Sequence, residues 1–334
     1  MKYIAIFLTI AFIIIGCQNE SSTEKYQSRR NEILDTKDRV HEIDMHDVYI
    51  GPISRLFLID SLLLITDPQT PEFLLHIFNK NDFNHVACRI RKGRGPGEIV
   101  NIGHPVISNN HHFFLIDNNK RILYDYDLNK LIADPDYIPS VQLEFAKKRS
   151  PTTSKFLNDS ILLGTIMEPI GNASFKQLLA KWNIRTSEIT PMPYEHPSIE
   201  RKRVAFDRST KHNIYVESYH HHDLFSICTL DGKLIYNVYG PNWDDHTSNS
   251  MFYYDTPSIC KNKIVIPYSG KNFFDGDKWY PTMFHIFDLE GNYLKTLDVG
   301  YKISDYCYDA ENNRLIMALN DVIQFAYLDL DGII

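Results

Sequence analysis

The sequence predicts an all-β chain, folded as a six-bladed β-propeller of four-stranded antiparallel blades. Three observations carry the prediction. Six apolar segments recur along the 334 residues: LLLIT from Leu62, FFLID from Phe113, ILLGT from Ile161, IYVES from Ile214, IVIPY from Ile264 and LIMAL from Leu315. Their starts lie 51, 48, 53, 50 and 51 residues apart, and a period of that size is the length of one propeller blade. Each segment follows a pair of turn-forming residues: Asp60-Ser61, Asn109-Asn110, Asn158-Asp159, Lys211-His212, Lys261-Asn262 and Asn312-Asn313. Finally, 20 Tyr and 19 Phe favour strands over helices, and no stretch beyond the first twenty residues keeps a helical apolar period.

The chain opens on a targeting segment. Lys2 precedes an apolar run, Ile4 to Ile15, broken only by Thr9. The run is shorter than the ~20 residues needed to cross a bilayer. It ends in Ile14-Ile15-Gly16-Cys17, so residues 1–16 are expected to be a lipoprotein signal peptide. Residues 17–38 are polar and aperiodic. Such a composition cannot build a core of its own, so a lipidated tether is expected here. The propeller is then expected over residues 39–334. Because the sixth unit runs out after its third strand, residues 40–49 are expected to supply its outer strand and close the ring.

Within each unit a second hairpin signal follows the apolar segment. It is Asn79-Lys80-Asn81, Asp127-Leu128-Asn129, residues 183–187, Leu230-Asp231-Gly232, Leu289-Glu290-Gly291 and residues 328–332. A blade cannot bury its own faces, so neighbours must cover them, and ring closure leaves only short edges. A monomer is the expected state.

Two features resemble known families. The IIGC run ending at Cys17 resembles a bacterial lipobox, which implies cleavage before Cys17 and its lipidation. Gln18 follows it and is not an inner-membrane retention signal, so outer-membrane placement in the cell envelope is expected over inner. The second feature is Gly93, Gly95, Pro96, Gly97 and Glu98, followed by Pro105, Asp117, Asn119, Arg121 and Ile122. It resembles one repeat of the NHL type, and the whole domain resembles TolB-like and NHL-like propeller lipoproteins of Gram-negative bacteria. What this implies is a binding or scaffold role, with a glycan, peptide or envelope protein as partner.

Charge excludes one class of partner. A formal net charge of −7 does not suit nucleic acid, and Arg89, Arg91, Lys92 and Arg94 read as a solvated rim. The GRGPGE loop is not a phosphate cradle, because no helix follows its glycines.

Candidate sites sit on the longest loops, those of units three to five. Trp243, Asp244, Tyr253, Tyr254, Phe274, Trp279 and Tyr280 are the ligand-binding candidates, since aromatic faces beside carboxylates suit a sugar or a peptide. His220 and His222, alternating in a strand, would share a face and form half of a metal site. No cofactor is expected beyond one divalent ion at that place. With such an ion, the chain would read instead as an envelope hydrolase or lyase on glycans or lactone-like substrates. Cys88, Cys228, Cys260 and Cys307 lie far apart and are read as free thiols.

Overall fold

The computed structural model describes residues 22–108, 111–144, 151–171, 174–246 and 250–334. Six sheets succeed one another along the chain as blades 1 to 6, each a four-stranded antiparallel meander. The six apolar segments are the second strands: Leu62–Thr66, His112–Asp117, Ile161–Gly171, Ile214–Tyr219, Lys263–Asn272 and Arg314–Leu319. The turns before them fold for the expected reason. Asp60, His111, Asn213, Lys261 and Asn313 adopt φ values of +51°, +58°, +55°, +54° and +48°, the left-handed backbone that closes a tight hairpin. In blade 3 the Asn158 side chain accepts hydrogen bonds from the Ser160 and Ile161 amides instead. The Asn109-Asn110 pair lies outside the described residues.

Side-chain alternation on these second strands builds the ring. Leu63 and Ile65 pack toward blade 6, against Ile316, Ala318 and Phe325. Leu64, one residue away, packs toward blade 2 with Phe113 and Leu115. Phe114 and Ile116 then face Leu162 and Trp182 of blade 3, and Leu163 faces Phe206 and Tyr215 of blade 4. Val216 meets Ile264 and Ile266 of blade 5, and Val265 meets Leu315 and Met317 of blade 6. Strand period 2 thus sends odd and even positions to opposite neighbours. Residues on both sides reach zero exposure, among them Leu63, Leu64, Ile264 and Val265.

The ring closes as expected. Val40–Glu42 pairs antiparallel with Phe325–Asp329 as the outer strand of blade 6. The Asp127 turn differs: Asp127 accepts a hydrogen bond from the Lys130 amide and caps a short helix, Leu128–Ala133. Arg89 donates to the Leu131 and Ile132 carbonyls at its end, where a cation is favoured. Arg89 is therefore a structural residue, not part of a solvated rim.

The expectation of a tether requires correction from residue 22 onward. Glu24–Tyr26 adds a parallel fifth strand to blade 4, pairing with Leu234–Tyr239. Ile33–Asp35 does the same on blade 5 against Tyr293–Asp298. Between them Arg30 enters the seam of blades 4 and 5, 9% exposed. Its guanidinium stands 2.9 Å from the Asp223 carboxylate, donates to the Tyr254 hydroxyl and lies over the Phe287 ring at 5.3 Å. Tyr254 in turn donates to Asp223 at 2.7 Å. A Cβ on Gly240 would fall 2.0 Å from an Asp223 oxygen, so only glycine fits beside this carboxylate. The segment needs no core of its own, because the open edges of two blades satisfy its backbone and Asp223 satisfies its one buried charge. It straps blades 4, 5 and 6 in order.

Removing Arg30 leaves the Asp223 carboxylate buried without its cation, a loss of about 3–5 kcal/mol for such pairs. Arg30→Ala is therefore expected to lower the unfolding free energy by that amount in urea titration. An exposed control, Arg29→Ala, should change it by no more than ~0.5 kcal/mol.

Candidate functional site

Antiparallel meanders alternate their connections, so loops between second and third strands share one face of the ring with the blade-to-blade loops. On this face the structure divides the aromatic candidates into three groups. Tyr254 is fully buried and belongs to the Arg30–Asp223 seam, so it presents nothing to a ligand. Trp243 is half-buried and packs on Tyr239, His196 and His222 at 4.7, 5.6 and 5.7 Å. It closes the blade 4 loop onto its own blade and is not an open platform. Tyr253 lies beside it, its hydroxyl donating to the Asn242 carbonyl.

The third group forms a surface. Trp279 and Tyr280 stack at 4.4 Å, and Trp279 also contacts Phe252 at 5.0 Å and Phe273 at 4.9 Å. Phe252 stacks on His220 at 5.3 Å. At the outer end Phe273 and Phe274 are 40% and 75% exposed. The long hairpin of blade 5, whose second strand Lys263–Asn272 runs to ten residues, lifts these rings above the blade edge. Arg203, His220, His221, Phe252, Phe273 and Phe274 line a groove of about 340 Å³. Arg203 fixes its far wall by donating to the Phe175 carbonyl, 2.7 Å away, at the tip of the blade 3 hairpin. Phe175 itself is 42% exposed.

The histidine pair does not form the expected half-site. Residues 220–223 are a turn, not a strand, so alternation does not apply. His220 donates through Nδ1 to the Tyr254 carbonyl at 2.6 Å and stacks on Phe252. His222 is buried, donates to the Asp244 carbonyl and faces Trp243. Among the described residues one cluster has three groups close enough to share an ion, Asp244, Asp245 and His246. All three are exposed and hydrogen-bonded to one another, and such clusters are common on surfaces without a metal.

The GRGPGE loop proves structural. Glu98 accepts from the Gly95 amide at 2.7 Å, so its carboxylate folds back into the loop and does not pair with Arg94. A Cβ on Gly93 would stand 2.0 Å from a Glu98 oxygen. Gly97, after Pro96, takes a φ of +74°. Asp117, fully buried, collects the Val100, Asn119 and Lys120 amides, and Lys120 donates to the Gly95 and Glu98 carbonyls. In blade 1, Asp67 holds the Gly51, Gln69 and Thr70 amides in the same way.

Along the ring axis lies a larger space, about 610 Å³, lined by the innermost strands and reaching His220 at the loop face. Charged or titratable residues reach it from every blade. On one side Arg55 stands 3.6 Å from Asp305, and Asp305 also accepts from the Leu56 amide at 2.7 Å. From blades 3 and 4, Lys155 pairs with Asp207 at 2.5 Å. Burial, opposed by Arg55, raises the Asp305 carboxyl to about 6. Burial and then Arg55 push the His104 imidazole down to about 4. No spacing signal foretells this group, since each residue comes from a different blade. The four cysteines Cys88, Cys228, Cys260 and Cys307 are all free thiols. Cys17 and the expected signal peptide lie outside the described residues, and no described helix is long and apolar enough to cross a membrane.

Two predictions follow from this geometry. Trp243→Ala should cost about 3 kcal/mol by urea unfolding, as for a large aromatic removed from its packing, whereas Phe274→Ala should stay within ~0.5 kcal/mol. The second concerns pH. Burial holds His76, His104, His196, His221, His222 and His285 below their ordinary value of 6.5. Below pH 6.5 the unfolded chain therefore binds more protons than the folded one, and stability falls on acidification. Asp305 has the opposite sign. Between about 6 and its ordinary 3.8 the folded state keeps a proton that the unfolded chain has released, so its contribution rises as pH falls. Six imidazoles outweigh one carboxyl, and the melting temperature should drop from pH 6.5 to 4. Asp305→Asn removes the opposing contribution, so its drop between pH 6 and 4 should be steeper than that of the parent.

No family model matches the chain, and no curated protein matches its sequence. Solved structures resemble it in fold. A member of the DUF4221 family from Bacteroides vulgatus aligns at 12% identity and TM-score 0.57, over 87% of this chain and 95% of that one. A luciferin-regenerating enzyme aligns at 7% identity and 0.56, over 87% and 94%. A candidate exported protein from Bacteroides fragilis aligns at 11% and 0.53, over 88% and 86%. At these identities the likeness is one of architecture: the chain is a six-bladed β-propeller, all-β, with four antiparallel strands to each blade.

Proposed function

We propose that this chain is a cell-envelope binding protein of the TolB-like or NHL-like kind, anchored through a lipid on Cys17 in the outer membrane. It captures a partner on the loop face of blades 4 and 5. One observation carries the reading: the run of rings from His220 through Phe252 and Trp279 to Phe274, open to solvent at its outer end. Exposed apolar surface of this kind, rimmed by polar groups, marks an interaction site. The aromatic order also selects among ligands. One face of Trp279 is occupied by Tyr280, and Phe252 and Phe273 press on the rest, so no free indole face is offered to a sugar ring. Phe273 and Phe274 bring no hydrogen-bonding tip. The groove therefore suits apolar side chains of a peptide or protein, and the glycan becomes the less suitable of the partners considered. Exchange of one apolar surface for another at the groove is binding, not chemistry, and the reading is of a scaffold and not an enzyme.

The test uses the full chain in its own cells with a photo-crosslinking residue at position 274. A discrete protein adduct in the envelope fraction, lost when Phe273→Ala is added, is expected. Absence of any adduct, or one that survives Phe273→Ala unchanged, overturns the docking site. Anchoring is tested separately: incorporation of labelled fatty acid should vanish in Cys17→Ala, and label persisting in that variant overturns the anchor alone.

A further inference from the structure

We infer that the axial cavity is a second site, for a small zwitterion of amino-acid or dipeptide size. It meets the aromatic groove at His220 and does not depend on the groove's exposed rings. Its volume of about 610 Å³ falls in the range of small-ligand sites. What selects the ligand is the set of polar groups whose bonding the protein leaves incomplete. Asp255 uses one carboxylate oxygen on the Thr256 amide and hydroxyl, and its other oxygen has no protein donor among the described residues. Arg55 uses one nitrogen on the Ser304 carbonyl and Asp305, and its remaining N–H groups have no acceptor among the described residues. His104, well inside the ring, makes an edge contact with Phe57 and no hydrogen bond among the described residues. All three line the cavity, where the Arg55 side chain keeps 42% of its surface accessible.

These groups are of both signs and lie on one side of the ring, contributed by blades 1, 2, 5 and 6. Arg55 matches a carboxylate, for which its planar fork is suited. Asp255 matches an ammonium. Asp305 is already engaged by Leu56 and Arg55, so it orients the guanidinium and does not compete for the ligand. On the other side Lys155 and Asp207 pair with each other at 2.5 Å, and Asp207 also accepts from the Ile259 amide. Thr152 and Thr165 satisfy each other at 2.8 Å, and Gln177 accepts from the Val204 amide. A bare divalent ion fits poorly, because Asp255 and Asp305 belong to no cluster of three ligand groups among the described residues.

The experiment is isothermal titration of the full chain with single free amino acids and with Ala-Ala, at millimolar concentration. Each is compared with its N-acetylated and C-amidated forms. Saturable binding of at least one member of the panel is expected, lost when either end is blocked. Asp255→Asn and Arg55→Gln should each weaken it roughly thirty-fold or more, as when one partner of a buried charged pair is removed. Phe274→Ala should leave it unchanged, which separates this site from the groove. The inference is overturned if no member of the panel binds, if blocked forms bind as well as free ones, or if both cavity substitutions leave affinity unchanged. The blocked ligands keep the test decisive even if one variant folds poorly.

Discussion

Every blade of this protein is a thin sheet with two apolar faces, and neither face can be covered from within the blade. That constraint governs the rest of the structure. Leu63 and Leu64, or Ile264 and Val265, sit side by side in sequence yet belong to the cores of different blade pairs. Burial of one is therefore useless without burial of the other, and the sheets gain their full apolar stabilisation only when the last interface forms. The strand that forms it, Val40–Glu42, comes from the opposite end of the chain from its partner Phe325–Asp329. Closure couples the two termini into one cooperative unit.

The N-terminal strap follows from the same constraint at the outer edges. Closing the ring covers the faces but leaves the outer strands of the blades with open hydrogen-bonding edges. Residues 24–26 and 33–35 occupy two of them in parallel register. The short stretch between carries Arg30 into the seam where Asp223, Tyr254 and Phe287 meet. One arginine thereby links the strap, the blade 4 loop and the blade 5 core. The loop that it secures also bears His220 and His221, which form one wall of the aromatic groove. Strap and functional face are in this way mechanically continuous, since the carboxylate that holds Arg30 is three residues from the imidazole that reaches the axial cavity.

Groove and cavity illustrate two ways in which a propeller makes sites. The groove depends on insertions: the blade 5 hairpin runs beyond its sheet, and its tip folds Phe273, Trp279 and Tyr280 against Phe252. The cavity depends on no insertion at all. It arises because six innermost strands cannot converge to a point, and whatever side chains they carry at the axis must face one another. Small changes at such positions alter ligand preference without touching the interfaces, which lie farther out along each blade.

The number of blades, their boundaries and the closing strand were legible in sequence, because each is set by local chemistry. Strand alternation and turn residues such as those at Asp60 or Asn313 act over ten residues or fewer, and their recurrence at even spacing counts the blades. The long blade 5 loop was legible as an insertion that no blade requires, and it leaves Phe274 exposed while Trp279 packs under its neighbours. Tyr254, Trp243 and the histidine pair were not. Their type fits a ligand site as well as a core, and only long-range packing assigns Tyr254 to Arg30 and His222 to Trp243. The strap was misread because composition measures whether a segment can build its own core, whereas edge pairing asks only for backbone groups and one complementary charge. The axial group of Arg55, His104, Asp255 and Asp305 was invisible for a geometric reason. Its members lie on four different blades, up to 250 residues apart, and only ring closure brings them to one cavity.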